Sequence, residues 1–151
     1  MDKHLPYMNT AMEEAKSAAM RDEVPIGAVL VDHETGKIVA KDSNRTIELN
    51  DPSAHAEMLV IRKRCAELGV QRIPGHTLYV TLEPCTMCAA AISFARIDKV
   101  VIATEDKKGG GVLNGVKFYE QPTCHHRPDI EKGPLSQEAS QILKEFFKKK
   151  R

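Results

Sequence analysis

No stretch of this 151-residue chain approaches the roughly 18 to 20 consecutive apolar residues of a helical membrane span, so a soluble globular protein is expected. The opening Met1-Asp2-Lys3-His4-Leu5-Pro6 has no basic segment leading into an apolar core. No secretory signal is therefore read, and the expected location is cytoplasmic. Net charge is also lacking: 22 Lys and Arg against 21 Asp and Glu leave +1, which gives no global field to attract nucleic acid. Electrostatic binding would have to come from local clusters, namely Arg62-Lys63-Arg64, Lys107-Lys108 and Lys148-Lys149-Lys150-Arg151. Each of these fits a solvated helix face or end equally well. Neither a GxGxxG nor a GxxxxGK[ST] pattern occurs, so the glycine-rich stretch 107–115 reads as a loop and not as a nucleotide phosphate cradle. No internal repeat or linker divides the chain, and one domain over 1–151 is expected.

Within that domain, Met8, Met12, Ala15 and Ala19 recur at steps of four and three after Pro6, predicting an amphipathic helix to about Met20. Two β-prone runs, Pro25 to Val31 and Lys37 to Ala40, flank a turn in which Gly36 can supply a positive φ, so they predict a hairpin. A second helix is expected from Asp51-Pro52 to Leu68, ended by Gly69, with Met58, Ile61, Cys65 and Leu68 facing inward. Thr77–Leu82 predicts a strand, Pro84 to about Ala95 a helix, and Lys99–Ala103 another strand, which together make a parallel crossover unit. Ser136 to about Lys149 is the last helix, with Ile142, Leu143 and Phe146 inward. The fold class is α/β: a three-layer α/β/α arrangement around a mixed sheet of about five strands.

The chemistry-bearing residues fall at the starts of the second and third helices. Four cysteines could form two disulfides, but Cys85-Thr86-Met87-Cys88 in a chain without a signal peptide reads as a metal or redox motif. Cysteines at i and i+3 share one helical face, and a helix N-terminus favours thiolate, the form that binds metal. With His55 they make an imidazole and two thiolates, a set that suits zinc. Three protein ligands leave one position open, as in catalytic zinc sites. Cys65, His76, Cys124, His125 and His126 are other donors, so a closed structural site remains open as an alternative. Against it stands Glu57, two residues after His55, whose simplest purpose is to act as a base beside the metal. H-x-E followed by P-C-x-x-C resembles the signature of zinc-dependent nucleobase deaminases.

Longer segments narrow the resemblance. Asp22 to Val29, Asn44, Asp51 to Glu57, Leu78 to Cys88 and the Phe146-Phe147 ending resemble the bacterial tRNA adenosine deaminases over nearly the whole chain. The resemblance implies a cytidine-deaminase-like fold, and hydrolytic conversion of the wobble adenosine of a tRNA anticodon to inosine by a homodimer with one zinc per subunit. It implies His55, Cys85 and Cys88 as ligands, Glu57 as proton shuttle, and Asn44 as a contact to the flipped nucleotide. Asp106 matches a position near the substrate backbone, although a solvated loop acid is its plain alternative. Lys107 and Arg127 are expected along the RNA path, the latter with His125 and His126. Phe146 and Phe147, about 100° apart on a helix, cannot share one core, and Phe147 is the one expected to stack on a base, with a peripheral apolar contact as its plain alternative. A deaminase of free guanine, cytosine or nucleosides is the alternative enzyme, and a zinc-stabilised interaction module the alternative without catalysis.

Overall fold

A computed structural model describes residues 2–150. Pro6 lies in the first turn of α1 (Leu5–Met20), where its missing N–H costs no helical hydrogen bond. The buried stripe runs through Met8, Ala11, Met12, Ala15 and Ala18, so it leaves the expected line at Ala19 for the residue before it. The hairpin forms as β1 (Gly27–Asp32) and β2 (Ile38–Ser43), with Gly36 at φ +70° in its turn.

The second helix starts later than expected. α2 spans Ala56–Leu68, with His55 extended at the cap position. Asp51 does not cap it: Asp51 Oδ1 accepts the Ser53 N–H and hydroxyl at 2.9 and 2.7 Å and closes a local turn instead. The inward face is only partly the one the apolar spacing suggests, since Ile61 and Cys65 pack against the core and Leu68 does not. Ala56, Glu57, Leu59 and Val60 are buried, whereas Met58, Ile61 and Cys65 are half-buried and Leu68 is 46% exposed. Gly69, at φ +67°, ends the helix as expected.

β3 (His76–Leu82), α3 (Thr86–Phe94) and β4 (Lys99–Thr104) form the parallel crossover, and β5 (Asp129–Lys132) pairs in parallel with β4. A single 3-10 turn, Phe118–Glu120, lies between them in sequence, and α4 (Ser136–Lys150) closes the chain. The sheet order is β2-β1-β3-β4-β5, with β1 antiparallel to both of its neighbours.

Alternation along β1 divides the core between the two faces. Ala28 and Leu30 pack with Ala56 and Val60 of α2 and with Ala89 and Ile92 of α3. Val29 and Val31 face the other way, toward Met8, Ala11 and Met12 of α1 and Ala139 of α4. The result is the three-layer α/β/α sandwich with its mixed five-stranded sheet. Along α4 only Ala139 is buried, while Ile142, Leu143 and Phe146 are half-buried. No helix among the described residues is long and apolar enough to cross a membrane.

Candidate metal centre and active site

Two helix N-termini meet beyond the carboxyl end of β3. His55 and Cys85 occupy equivalent positions, each the extended residue just before its helix (ψ 153° and 174°), and Cys88 follows in the first turn of α3. Neither helix is capped by its own cap residue. For α2 the missing acceptor comes from across the fold: Asn44, 5% exposed at the end of β2, accepts the Ala56 N–H on Oδ1 at 2.8 Å. That bond fixes the start of the helix that presents His55 and Glu57.

His55 Nδ1 lies 3.6 Å from Cys85 Sγ and 3.5 Å from Cys88 Sγ, and all three donor atoms fall within 4.8 Å of one another. Tetrahedral zinc, with Zn–S near 2.3 Å and Zn–N near 2.0–2.1 Å, requires an N···S separation of about 3.6 Å. The donor set and its spacing therefore fit zinc. Among the described residues this is the one cluster of its kind. Three of the other candidate donors are engaged elsewhere. His76 lies between Arg64 Nε and the Pro74 carbonyl, Cys124 is buried beside Ser93, and His126 contacts the Ile97 carbonyl.

Without metal, the charges of this cluster are strongly coupled. The Cys85 thiol is pushed down to about 4, first by its hydrogen bond with Cys88, against burial and with help from His55. Cys88 is pushed up, by that same bond to an ionised Cys85 and then by burial. His55 is raised, mainly by its hydrogen bond with Cys85. Glu57, only 4% exposed, is raised to about 7 by burial, which its own backbone amide and His55 partly offset. A buried carboxyl two residues after the ligand histidine stands where a group doing general acid–base work beside a metal has to be.

Residues 1–104 match the family model of the cytidine and deoxycytidylate deaminase zinc-binding region. The tRNA-specific adenosine deaminase of Agrobacterium fabrum is 56% identical over 151 residues, which is 100% of this chain and 98% of that protein. The chain belongs to the tRNA-specific adenosine deaminase family. Another member, from Aquifex aeolicus, is 46% identical over 96% of this chain and 94% of its own length. A solved structure from studies of A-to-I editing by tRNA:A34 deaminases at the wobble position of transfer RNA superimposes with a TM-score of 0.89. It is 57% identical and covers 92% of this chain and 99% of that one.

The remaining candidates of this deaminase fall in two places. Asp106, Lys107 and Phe147 line one cleft of about 640 Å³ between the end of β4 and α4, together with Leu82, Leu143 and Lys148. Phe147 is 46% exposed there, while Phe146 is half-buried and its ring stands edge-on to that of Phe147. Asp106 also has a structural task, because its Oδ1 accepts the N–H groups of Lys108 and Gly109. Arg127 is not in this cleft. Its Nε and Nη2 donate to the carbonyls of Tyr119 and Gln121, which spends part of the guanidinium on bracing that turn. His125 is exposed.

The basic clusters also separate. Arg62, Lys63 and Arg64 are paired with Asp51, with Asp42, and with Asp32 and Glu67, so they form a neutralised helix face. Lys150 pairs with Asp22, and Arg151 lies outside the described residues.

Two buried carboxylates escape sequence reasoning. Glu23, 2% exposed, accepts the N–H groups of Ile47 and Glu48, and Glu83, 2% exposed, gathers the loop that follows β4. Their positions immediately before Val24-Pro25 and Pro84-Cys85 offered a faint signal, since an acid beside an apolar segment is unusual unless it has partners.

Proposed function

We propose that this chain, as one deaminase domain over 1–151, converts the wobble adenosine of a tRNA anticodon to inosine with release of ammonia. The observation that carries the reading is the His55–Cys85–Cys88 donor set with buried Glu57 beside it. His55, Cys85 and Cys88 would hold the zinc. Zinc bound there supplies a Lewis acid that lowers the pKa of a water from 15.7 to about 7, so that hydroxide is available at neutral pH.

The chain's own residues do the rest. Glu57 takes the proton of the attacking water on its carboxylate and delivers it to N1 of the adenine as the new C6–O bond forms. It then helps to protonate the 6-amino group, whose C–N bond breaks to give ammonia. Water adds and ammonia leaves, so atoms balance with no oxidant. Asn44 holds the flipped nucleotide by its free amide nitrogen while its oxygen holds α2. Phe147 stacks on a base of the RNA, and Asp106, Lys107 and Arg127 lie along its backbone.

A half-buried site set between two helix starts takes a base that is extruded from its stack, so affinity must come from the flanking RNA. The cytoplasm, where tRNA is found, is the proposed location, and a homodimer with one zinc per subunit is the proposed assembly. The test compares ammonia release from an anticodon stem-loop, from free adenosine and from free guanine or cytosine at equal concentration. Turnover of the stem-loop alone supports the reading. Equal turnover of a free base would move the assignment to a small-molecule deaminase, and ammonia from none would leave a zinc-stabilised interaction module.

A further inference from the structure

Glu83 is a buried carboxylate that the proposed chemistry does not use. It sits between β3 and α3, two residues before Cys85, and is 2% exposed. Its Oε2 accepts three successive backbone N–H groups, from Val112, Leu113 and Asn114, at 3.1, 2.9 and 3.0 Å. Its Oε1 accepts the Asp106 N–H at 3.0 Å and the Asn114 side-chain amide at 2.7 Å. One side chain thus grips both ends of the loop from Asp106 to Asn114.

The loop is pressed onto the same corner of the fold. The Gly111 N–H donates to the Pro84 carbonyl at 2.8 Å, and the Glu83 N–H donates to the Thr104 carbonyl at 2.9 Å. A Cβ on Gly110 would lie 2.2 Å from Glu83 Oε2, and one on Gly111 would lie 2.6 Å from the Thr86 nitrogen in the first turn of α3. Glycine is therefore required where the loop meets Glu83 and the cysteine-bearing helix. The beginning of the same loop, Asp106 to Lys108, forms one wall of the cleft against α4.

We propose that Glu83 is a positioning residue that sets the Asp106–Lys108 wall at a fixed distance from the Cys85–Cys88 helix. It thereby matches the grip on the RNA to the place where the base reacts. The inference rests on the tRNA deaminase reading and adds to it the part that holds the two halves of the site in register.

Glu83→Gln tests it. Whichever oxygen becomes the amide nitrogen, at least two of the five donors then face another donor. Zinc content, amide hydrogen exchange and stem-loop kinetics are measured on the full chain. Zinc should stay at about one per chain, and exchange should quicken at Asp106 if the amide oxygen keeps the place of Oε2, or at Val112, Leu113 and Asn114 if it takes the place of Oε1, without quickening in the sheet. KM should rise about tenfold or more with kcat within roughly twofold, the pattern of lost uniform binding. Asn114→Ala, which removes one donor of the five, should raise KM less in the same direction, and it decides the matter if Glu83→Gln fails to fold. A normal KM in both variants, or a fall in kcat that tracks lost zinc, would overturn the proposal. An inactive wild type would instead sink the functional reading beneath it.

Discussion

Asn44 is placed to do two jobs with the two ends of one amide, and substitution can separate them. Its Oδ1 is the only side-chain acceptor at the start of α2 among the described residues, and it is buried. Removing an N-cap acceptor costs about 0.5–2 kcal/mol, with ~1 typical. In a chain of this size each kcal/mol lowers the unfolding midpoint by roughly 2–4 °C. Asn44→Ala should therefore unfold about 3 °C lower, measured by calorimetry at fixed zinc concentration. Asn44→Asp keeps an oxygen facing the Ala56 N–H, and a negative charge at a helix N-terminus is favourable, so its midpoint should stay near that of the wild type. The amide nitrogen is different. It has no acceptor among the described residues and is not sealed from solvent, as a group waiting for substrate would be. Asp cannot donate there, so Asn44→Asp should lose about tenfold in kcat/KM, the worth of one hydrogen bond of ~1.4 kcal/mol. An unshifted midpoint in Asn44→Ala would refute the capping role. Full activity in Asn44→Asp would refute the substrate contact.

Other consequences follow from the same geometry. Glu57→Gln should retain zinc by metal analysis yet lose at least about 10²- to 10⁴-fold in turnover, and near-normal ammonia release would assign the proton transfers to another group. His55→Ala should remove most of the roughly one zinc per chain expected of this donor set, whereas Cys124→Ala should not change zinc content. In metal-free protein, burial holds the Glu57 carboxyl at about 7 against its ordinary 4.5. The native state keeps a proton that the unfolded chain releases, so this group lowers stability as pH rises from about 4.5 to about 7. Metal-free wild type should lose stability relative to Glu57→Gln across that window in denaturant titrations, and a constant difference would contradict the burial argument. Removing Lys148 to Arg151 should weaken RNA binding and flatten its dependence on salt by roughly 0.7–0.9 of a log unit per lost phosphate contact, with zinc unchanged. A slope equal to that of the full chain would return the tail to a solvated helix end.

Much of this was legible in the residues because the relevant signals are local. Thr77–Leu82 and Lys99–Ala103 are continuous β-prone runs, and the structure extends each by a single residue. The metal cluster could be read because Cys85 and Cys88 are three apart at a helix start and because H-x-E carries its base beside its ligand. The parts that stayed hidden depend on distant partners. β5 is Asp-Ile-Glu-Lys, an edge strand with one apolar residue, and it is recruited by pairing with β4. Asp-Pro at 51–52 is a strong local cap signal and points to a helix start there, yet the acceptor that sets the start is Asn44, twelve residues before Ala56. The inward face of α2 departs from the apolar spacing for a related reason. Glu57 is buried by the site it serves, and hydrophobic periodicity does not anticipate a buried acid. The stretch 107–115 reads only as a glycine-rich loop in sequence, and its beginning becomes a built wall only because Glu83 lies beneath it.

The central claim is tested most directly by sequencing a pool of tRNA after incubation with the zinc-loaded protein. Inosine is read as guanosine, so A-to-G changes should appear at the wobble position of particular tRNAs and at no other adenosine, and they should vanish with Glu57→Gln. An unchanged pool from zinc-replete wild-type protein, alongside ammonia release from a free base, would contradict the account.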